Sequence, residues 1–534
     1  MKVTIPRNAE TIPNHKHWQF CVGSGHAHLA LRTDYVEQLR FIHDELGIER
    51  VRFHGIFCDD MNTMTDMGDM LPFPKSSDFK ELNFRACGLA YDNVLSAGMK
   101  PFVELGFMPK KLASDPAAKG FIYYRPNFTM PADLEAWKEY LRCFVRYLEH
   151  RYGEEEVRSW YFEVWNEPDM GSSFFTGGAE GYLSLYRASA EAIKEVDPAI
   201  QVGGPATSAS KWVRIFREYC ESNHIPLDFL STHQYPGDPI AGVESSGGPE
   251  DEAAESTEGS EFTPEKLAAI GKLLAAVPEK TFLKGLRTLL SDKSETTDIP
   301  DDVFLNNARI VRQQAVGYPL FYTEWNGNAI FSAETNDTKK AAAYLVKTAL
   351  DVAPYMEGSS VWCFSDLFEE WHQFVEPFHG GFGLLSQDGI PKPGFWALKF
   401  LALCGKERYV LPETEGETRA AAFRSEDGTQ ILLYRQKMKN DPSAPKDAVT
   451  LEIPTESAPK SVTIMRIDDA HGNPLRVWLE DYQARYDLNR SEVSEIIEKS
   501  RVLPEACSYR LEAGVITVDT ALAVNDVALL QIKF

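Results

Sequence analysis

Two short segments of the chain concentrate residue types able to move protons and attack carbon. The first is Trp160-Tyr-Phe-Glu-Val-Trp-Asn-Glu-Pro-Asp169. Read as a strand, it puts Tyr161, Glu163, Trp165 and Glu167 on one face. Pro168 ends the strand and leaves Glu167 at its C-terminal rim. The inward face of a barrel strand should be apolar. Carboxylates there need a site or a buried ion network to sustain them. Glu163 suits either; Glu167, at the rim, suits a site. The second segment, Leu320-Phe-Tyr-Thr-Glu-Trp-Asn326, is an apolar run that ends in Glu324. Across a barrel mouth two such carboxylates can face each other. Carboxyl groups roughly 5–5.5 Å apart suit double-displacement glycoside hydrolysis, one as nucleophile and one as acid/base. The nucleophile must stay ionised while the other holds a proton near neutral pH, so their surroundings must differ.

The elements that would position these groups follow from hydrophobic periodicity. From about Phe20 to Gly405, short apolar runs alternate with amphipathic stretches. The expected strands are Phe20–Gly23, Val51–Phe57, Pro101–Gly106, Trp160–Trp165, Ile200–Gly203, Phe229–Gln234, Leu320–Glu324 and Ser360–Phe364. Helical stretches lie between them: Tyr35–Leu46, Ala86–Ala97, Leu134–Arg151, Ala179–Val196, Lys211–Ser222, Val303–Val316 and Thr338–Val352, with Phe395–Leu403 closing the set. The expected fold class is α/β, a (β/α)8 TIM barrel over residues 19–405. Ala241–Phe262 interrupts the pattern with seven Asp or Glu and no Lys or Arg. It reads as a solvated insertion, or as a lid or oligomer contact on the active-site face. After residue 406 short strands joined by polar turns suggest a β-sandwich accessory domain, residues 406–534 with 1–18, carrying a helical excursion at 477–505.

Composition narrows the function. The 534 residues are 43% hydrophobic and 25% charged, which is globular. Aromatics at 12% can be core, and they also stack on sugar rings. The net charge of −24 repels phosphate backbones, so neither nucleic acid nor anionic membrane is an expected partner. The 8 Cys are scattered without a C-x-x-C pair. No apolar stretch follows Met1, and none elsewhere reaches membrane-spanning length. A cytoplasmic protein with reduced thiols is the expectation.

At this point the sequence resembles a family. Asn166-Glu167-Pro168 ending a fourth strand and Glu324 ending a seventh are similar to the clan A glycoside hydrolases. Further segments resemble glycoside hydrolase family 39, the β-xylosidase and α-L-iduronidase family. They are Phe20–His28, Val51–Asp60, Ser231–Pro236, Ser365–Glu370, Pro377–Gly383 and Ile467–Trp478 with His471 and Asn473. The resemblance covers nearly the whole chain; the acidic insertion departs from compact β-xylosidases. It implies that Glu167 is the acid/base and Glu324 the nucleophile, with Asn166 donating to the sugar 2-hydroxyl. His233 and Tyr235 would hold the nucleophile's carboxylate. His54 would help bind the non-reducing sugar, while Asp59 and Asp60 are sugar contacts or loop-capping residues. Trp362, Glu369 and Glu370 would line the −1 subsite. Phe107 would close the pocket, or else belongs to the core.

The resemblance implies a retaining, exo-acting β-xylosidase that trims short xylo-oligosaccharides. Other family specificities stay open: α-L-iduronidase, β-glucosidase, β-galactosidase or arabinosidase. A uronide substrate would call for cationic groups, and the pocket-facing residues of the matched segments read as acidic or neutral. The implied partner is an oligosaccharide, with no cofactor and no metal, and similar β-xylosidases are often tetramers, implying a homo-oligomer. Two rivals come from other classes. His26-Ala-His28 is a pattern used by metal-dependent barrel hydrolases, with His233 and Asp366 as further ligands. A non-catalytic sugar-binding barrel is the other, and it would need one carboxylate to be lost.

Overall fold

In the computed structural model, eight parallel strands among the described residues close into a barrel. The described residues are 1–65, 81–120, 122–238, 299–329, 334–368, 370, 375–412, 416–439, 441 and 443–534. The expected insertion at 241–262 lies outside them. The barrel strands are β1 Cys21–His26, β2 Arg50–His54, β3 Lys100–Leu105, β4 Tyr161–Val164, β5 Gln201–Thr207, β6 Phe229–Gln234, β7 Leu320–Trp325 and β8 Gly358–Val361. β8 closes on β1, with Ser360 opposite Cys21 and Val361 opposite Val22. The expected second strand is cut short after His54. Gly55 takes φ +76°, where a Cβ would stand 2.9 Å from Cys58 Sγ. Only glycine fits that turn.

Around the barrel run α1 Thr33–Leu46, α2 Arg85–Ser96, α3 Leu134–Tyr152, α4 Gly178–Val196, α5 Val213–Ser222, α6 Val303–Gln314, α7 Lys339–Asp351 and α8 Pro393–Leu403. α3 shows why the sequence folds this way. Asp133 caps its first turn, accepting the Glu135 N–H at 2.8 Å. Trp137, Tyr140, Leu141, Phe144, Val145 and Leu148 form one buried stripe at helical spacing.

Inside the barrel, strand alternation sorts the side chains into layers. At the N-terminal end Phe20, Phe102, Tyr161, Phe229 and Phe321 meet with centroids 4.6–6.0 Å apart. The next inward residues along β3, β4 and β7 are Glu104, Glu163 and Thr323, and β2 adds Arg52 to the same layer, all buried.

Two further sheets lie beyond the barrel. Four strands run in the order Lys2–Thr4, Asp447–Pro454, Val515–Leu522, Arg510–Glu512, and seven strands form the second sheet. Ile431 and Leu433 of the larger sheet face the smaller one. The alternate residues Leu432 and Tyr434 join the barrel's core. One layer thus seals both a sandwich and the barrel wall. Helices Pro474–Tyr482 and Arg490–Ser500 pack Trp478 and Ile496 against Phe378 and Ile390 of the loop after β8. No helix among the described residues is long and apolar enough to cross a membrane.

Candidate active site

The charged layer converges on one guanidinium. Arg52, fully buried, donates from Nε to Glu163 at 2.6 Å, from Nη1 to Glu324 at 2.8 Å and from Nη2 to Asn166 Oδ1 at 2.9 Å. Nη2 also lies 3.0 Å from Glu104. Thr323 donates to the other oxygen of Glu163 at 2.8 Å. Glu163 thus belongs to a buried ion network beneath the mouth, one of the two roles its position allowed. Breaking such a pair from one side leaves an uncompensated buried charge, a loss of about 3–5 kcal/mol.

Above this layer stand the two expected carboxylates. Glu324, near the end of β7, accepts from Arg52 on Oε1 and from the Tyr235 hydroxyl on Oε2 at 3.1 Å. Burial pushes the Tyr235 phenol well above its ordinary range, so it keeps the proton it donates. Glu167 has a different setting. Both Trp165 and Glu167 take positive φ, +70° and +43°, so the alternation of β4 ends at Val164 and the chain turns at the rim. Such conformations hold about 1–3 kcal/mol of strain each and recur at functional sites. Trp165 turns into the core, its indole N–H donating to the Phe174 carbonyl. Burial pushes the Glu167 carboxyl up to about 8, with Asp169 adding to the rise and His54 and Arg52 opposing it. Glu167 therefore holds a proton at neutral pH.

His233 and His54 flank the pair with opposite charge. Burial pulls His233 down to about 4, so it is neutral. Its Nδ1 lies 2.9 Å from Glu167 and 3.6 Å from Glu324. The expectation that His233 holds the nucleophile's carboxylate is corrected: its hydrogen bond goes to Glu167, and Tyr235 alone of the two bonds Glu324. Burial also disfavours charge on His54, but the carboxylates of Glu104, Glu324 and Glu370 outweigh it and raise His54 to about 9. Nδ1 of His54 sits 2.6 Å from Glu104, and Nε2 sits 3.5 Å from both Glu324 and Glu370. Burial likewise raises Glu370 to about 8, Glu324 and Glu167 adding to it while His54 opposes.

Trp362 packs 4.7 Å from His54, in a cluster with Tyr235, Phe368 and Phe382. Of the two readings of Phe107, the structure gives the core one: it is fully buried, edge-on to Phe128 and Trp165, with its ring 6.0 Å from that of His54. Glu369 lies outside the described residues. Asp59 accepts the Lys110 N–H at 3.2 Å, a loop-capping bond, and Asp60 pairs with His26. His471 and Asn473 serve local turns and a helix cap.

The metal-hydrolase constellation is not assembled. Asp366 pairs with buried Lys392 at 3.1 Å and accepts the Gly383 N–H, away from His26. Sequence reading missed Arg52 and Glu104. The signal was present in Arg50-Val-Arg-Phe-His54 and in Phe102-Val-Glu-Leu105, where a charge alternates with apolar residues inside a strand that must be buried.

Among the described residues, a ligand atom each of Glu167, His233 and Glu324 lies within 4.8 Å of the others. An oxygen of one carboxylate therefore comes that close to an oxygen of the second. The two carboxylates thus face each other across the mouth, with His233 beside both.

Comparison with known proteins agrees with this geometry. The model of the glycosyl hydrolases family 39 matches residues 1–267 and 294–514. A β-xylosidase of Caldicellulosiruptor saccharolyticus is 34% identical over 100% of this chain and 98% of its own. One from Geobacillus stearothermophilus is 30% identical over 99% of this chain and 95% of its own. A monomeric β-xylosidase structure from Caulobacter crescentus superposes with a TM-score of 0.77 at 26% identity, covering 100% of this chain and 99% of the other. The chain belongs to glycosyl hydrolases family 39 and is a glycoside hydrolase.

Proposed function

We propose that this family 39 glycoside hydrolase is a retaining, exo-acting β-xylosidase that removes xylose from the non-reducing ends of short xylo-oligosaccharides. The observation that carries the reading is the pair of strand-end carboxylates in opposed settings. Glu324 is paired with Arg52 at 2.8 Å, while Glu167 is raised to about 8. The full-length relatives named β-xylosidase support the choice of sugar.

In this reading Glu324 attacks the anomeric carbon and forms a covalent glycosyl ester. Glu167 gives its proton to the departing glycosidic oxygen, which leaves with the former bonding pair. Glu167, now a carboxylate, then takes a proton from water as that water displaces Glu324. Each displacement inverts the centre, so the product keeps the substrate's configuration. Arg52 donates to Asn166 Oδ1, which turns the amide N–H groups toward the sugar 2-hydroxyl. Glu370 and the His54 imidazolium, 3.5 Å apart, would receive the non-reducing hydroxyls, and Trp362, against His54, would supply an apolar wall. We also propose the cytoplasm as its compartment: the eight cysteines are free and six are buried, which suits a reducing environment.

The test is a panel of nitrophenyl glycosides with the first-formed product followed by NMR. The expected result is highest kcat/KM on the β-D-xyloside with β-xylose appearing first. An inverted first product removes the mechanism; a clear preference for another sugar removes the specificity.

A further inference from the structure

The loop after β5 has no part in the chemistry above, yet its backbone is strained. Ala206, Ala209, Ser210 and Trp212 take positive φ, between +52° and +58°. Non-glycine residues hold such conformations only where the surroundings over-determine them. Here the surroundings are the turn that carries Glu167, itself at φ +43°. The Glu167 N–H donates to the Ala206 carbonyl at 2.9 Å. Two residues on, Asp169 accepts the Ser208 N–H on one carboxylate oxygen at 2.8 Å and the Ser208 hydroxyl on the other at 2.5 Å. The Lys211 ammonium lies 3.5 Å from that second oxygen. On its other side the loop reaches β6, where the Ser210 hydroxyl donates to Gln234 Oε1 at 2.8 Å, next to Tyr235.

The Asp169 side chain is 1% exposed. Burial raises its carboxyl, while Ser208 and Lys211 hold it down. A carboxylate fixed in this way disfavours ionisation of a second carboxyl nearby. The other groups around Glu167 do not supply the same charge. His233 of β6 is neutral. Arg52 and His54 of β2 are cations and oppose the rise in Glu167. The Glu324 charge is met by Arg52 at 2.8 Å, and that of Glu104 by Arg52 at 3.0 Å and His54 at 2.6 Å. Burial pushes Glu370 up to about 8 and Asp238, in the loop after β6, up to about 7. After burial itself, Asp169 contributes most to the high proton affinity of Glu167.

We propose that Asp169 is a positioning residue for the acid/base: clamped by Ser208 and Lys211, it fixes the left-handed turn that presents Glu167 and holds a negative charge beside it. The inference rests on the reading of Glu167 as the acid. The strained loop after β5 then serves the reaction without touching the sugar.

The experiment is the pH dependence of kcat/KM on xylobiose and on a dinitrophenyl xyloside, with the full chain. Asp169→Asn keeps the shape and removes the charge; Asp169→Ser, smaller and also uncharged, is the second variant. In either, the alkaline limb on xylobiose should move down by about one pH unit. The loss against wild type should therefore grow by about tenfold between roughly pH 6 and pH 9. Ser208→Ala keeps the charge and loosens the clamp. It should lower kcat/KM on xylobiose by a similar factor at every pH, with the limb in place. The proposal is overturned if the limb of the folded Asp169 variants stays where wild type has it, if Ser208→Ala moves it as far, or if neither Asp169 variant folds. A wild-type limb that persists on the dinitrophenyl xyloside would instead remove the reading of Glu167 as the acid.

Discussion

The floor and the mouth of this barrel are built on the same strands, one or two inward residues apart, from opposite chemistry. Phe102 and Glu104 share β3, and Phe321 and Thr323 share β7, each pair on one face. At the floor, rings fill the lumen and burial alone does the work, about 25 cal/mol for each Å² of apolar surface removed from water. In the layer above, Arg52 is shared by three carboxylates and an amide, and each group is tolerated only because the others are present. The lesson is that the floor is additive and tolerant, whereas the charged layer acts as a unit. Its residues should move activity more than stability scales would suggest.

The largest test of that contrast is Glu324→Ala. It should lower kcat by at least about 10^4-fold on every substrate, since no covalent intermediate can form. Azide should restore turnover with an α-azide product. Glu167→Ala should lose about 10²–10⁴-fold on xylobiose but keep rapid glycosylation with a dinitrophenyl xyloside, whose leaving group needs no proton. Azide should then give the β-azide. Swapped behaviour of these two variants would reverse the role assignment and leave the pair intact. Arg52→Met comes next: removing the cation strands buried carboxylates, so kcat/KM should fall about 10²-fold and stability by about 3–5 kcal/mol. Near-normal kcat/KM in a folded Arg52→Met protein would mean that the layer is not a unit.

The pH profile is a smaller effect with a definite sign. In the proposed mechanism Glu167 is the acid, and burial raises it to about 8. Turnover of xylobiose should hold up to that pH and then fall about tenfold per unit as the acid form is lost. The same limb should vanish with the dinitrophenyl xyloside. The smallest effect is expected at the floor. Phe321→Leu should cost about 1–2 kcal/mol by thermal unfolding and change kcat/KM by less than about twofold. A large activity loss there would show that the floor, too, holds the catalytic geometry.

Much of this was legible in the residues themselves. The eight strands and their helices follow from periods of two and 3.6, and those patterns are local. The strand-end positions of Glu167 and Glu324 were readable from Pro168 and from an apolar run that stops at a charge. The turn at Gly55 was not, because nothing local distinguishes that glycine from one that merely permits a strand. Arg52 was overlooked because an arginine in isolation reads as a surface residue, and its partners are distant in the chain.

What the sequence by itself determined is therefore the element types, the barrel class and the family, and it singled out the two carboxylates proposed as the catalytic pair. What only the tertiary structure decided is the partner of each group: His233 bonding Glu167 rather than Glu324, Phe107 as core, and Arg52 reaching Glu163 across 111 residues and Glu324 across 272. The physical reason is range. Periodicity and turn chemistry act over a few residues and leave their mark in order, whereas charge and burial depend on distance in space. Two carboxylates of one residue type come to stand in different surroundings only once the closed barrel has brought an arginine to Glu324 and buried Glu167, whose carboxyl burial pushes up to about 8.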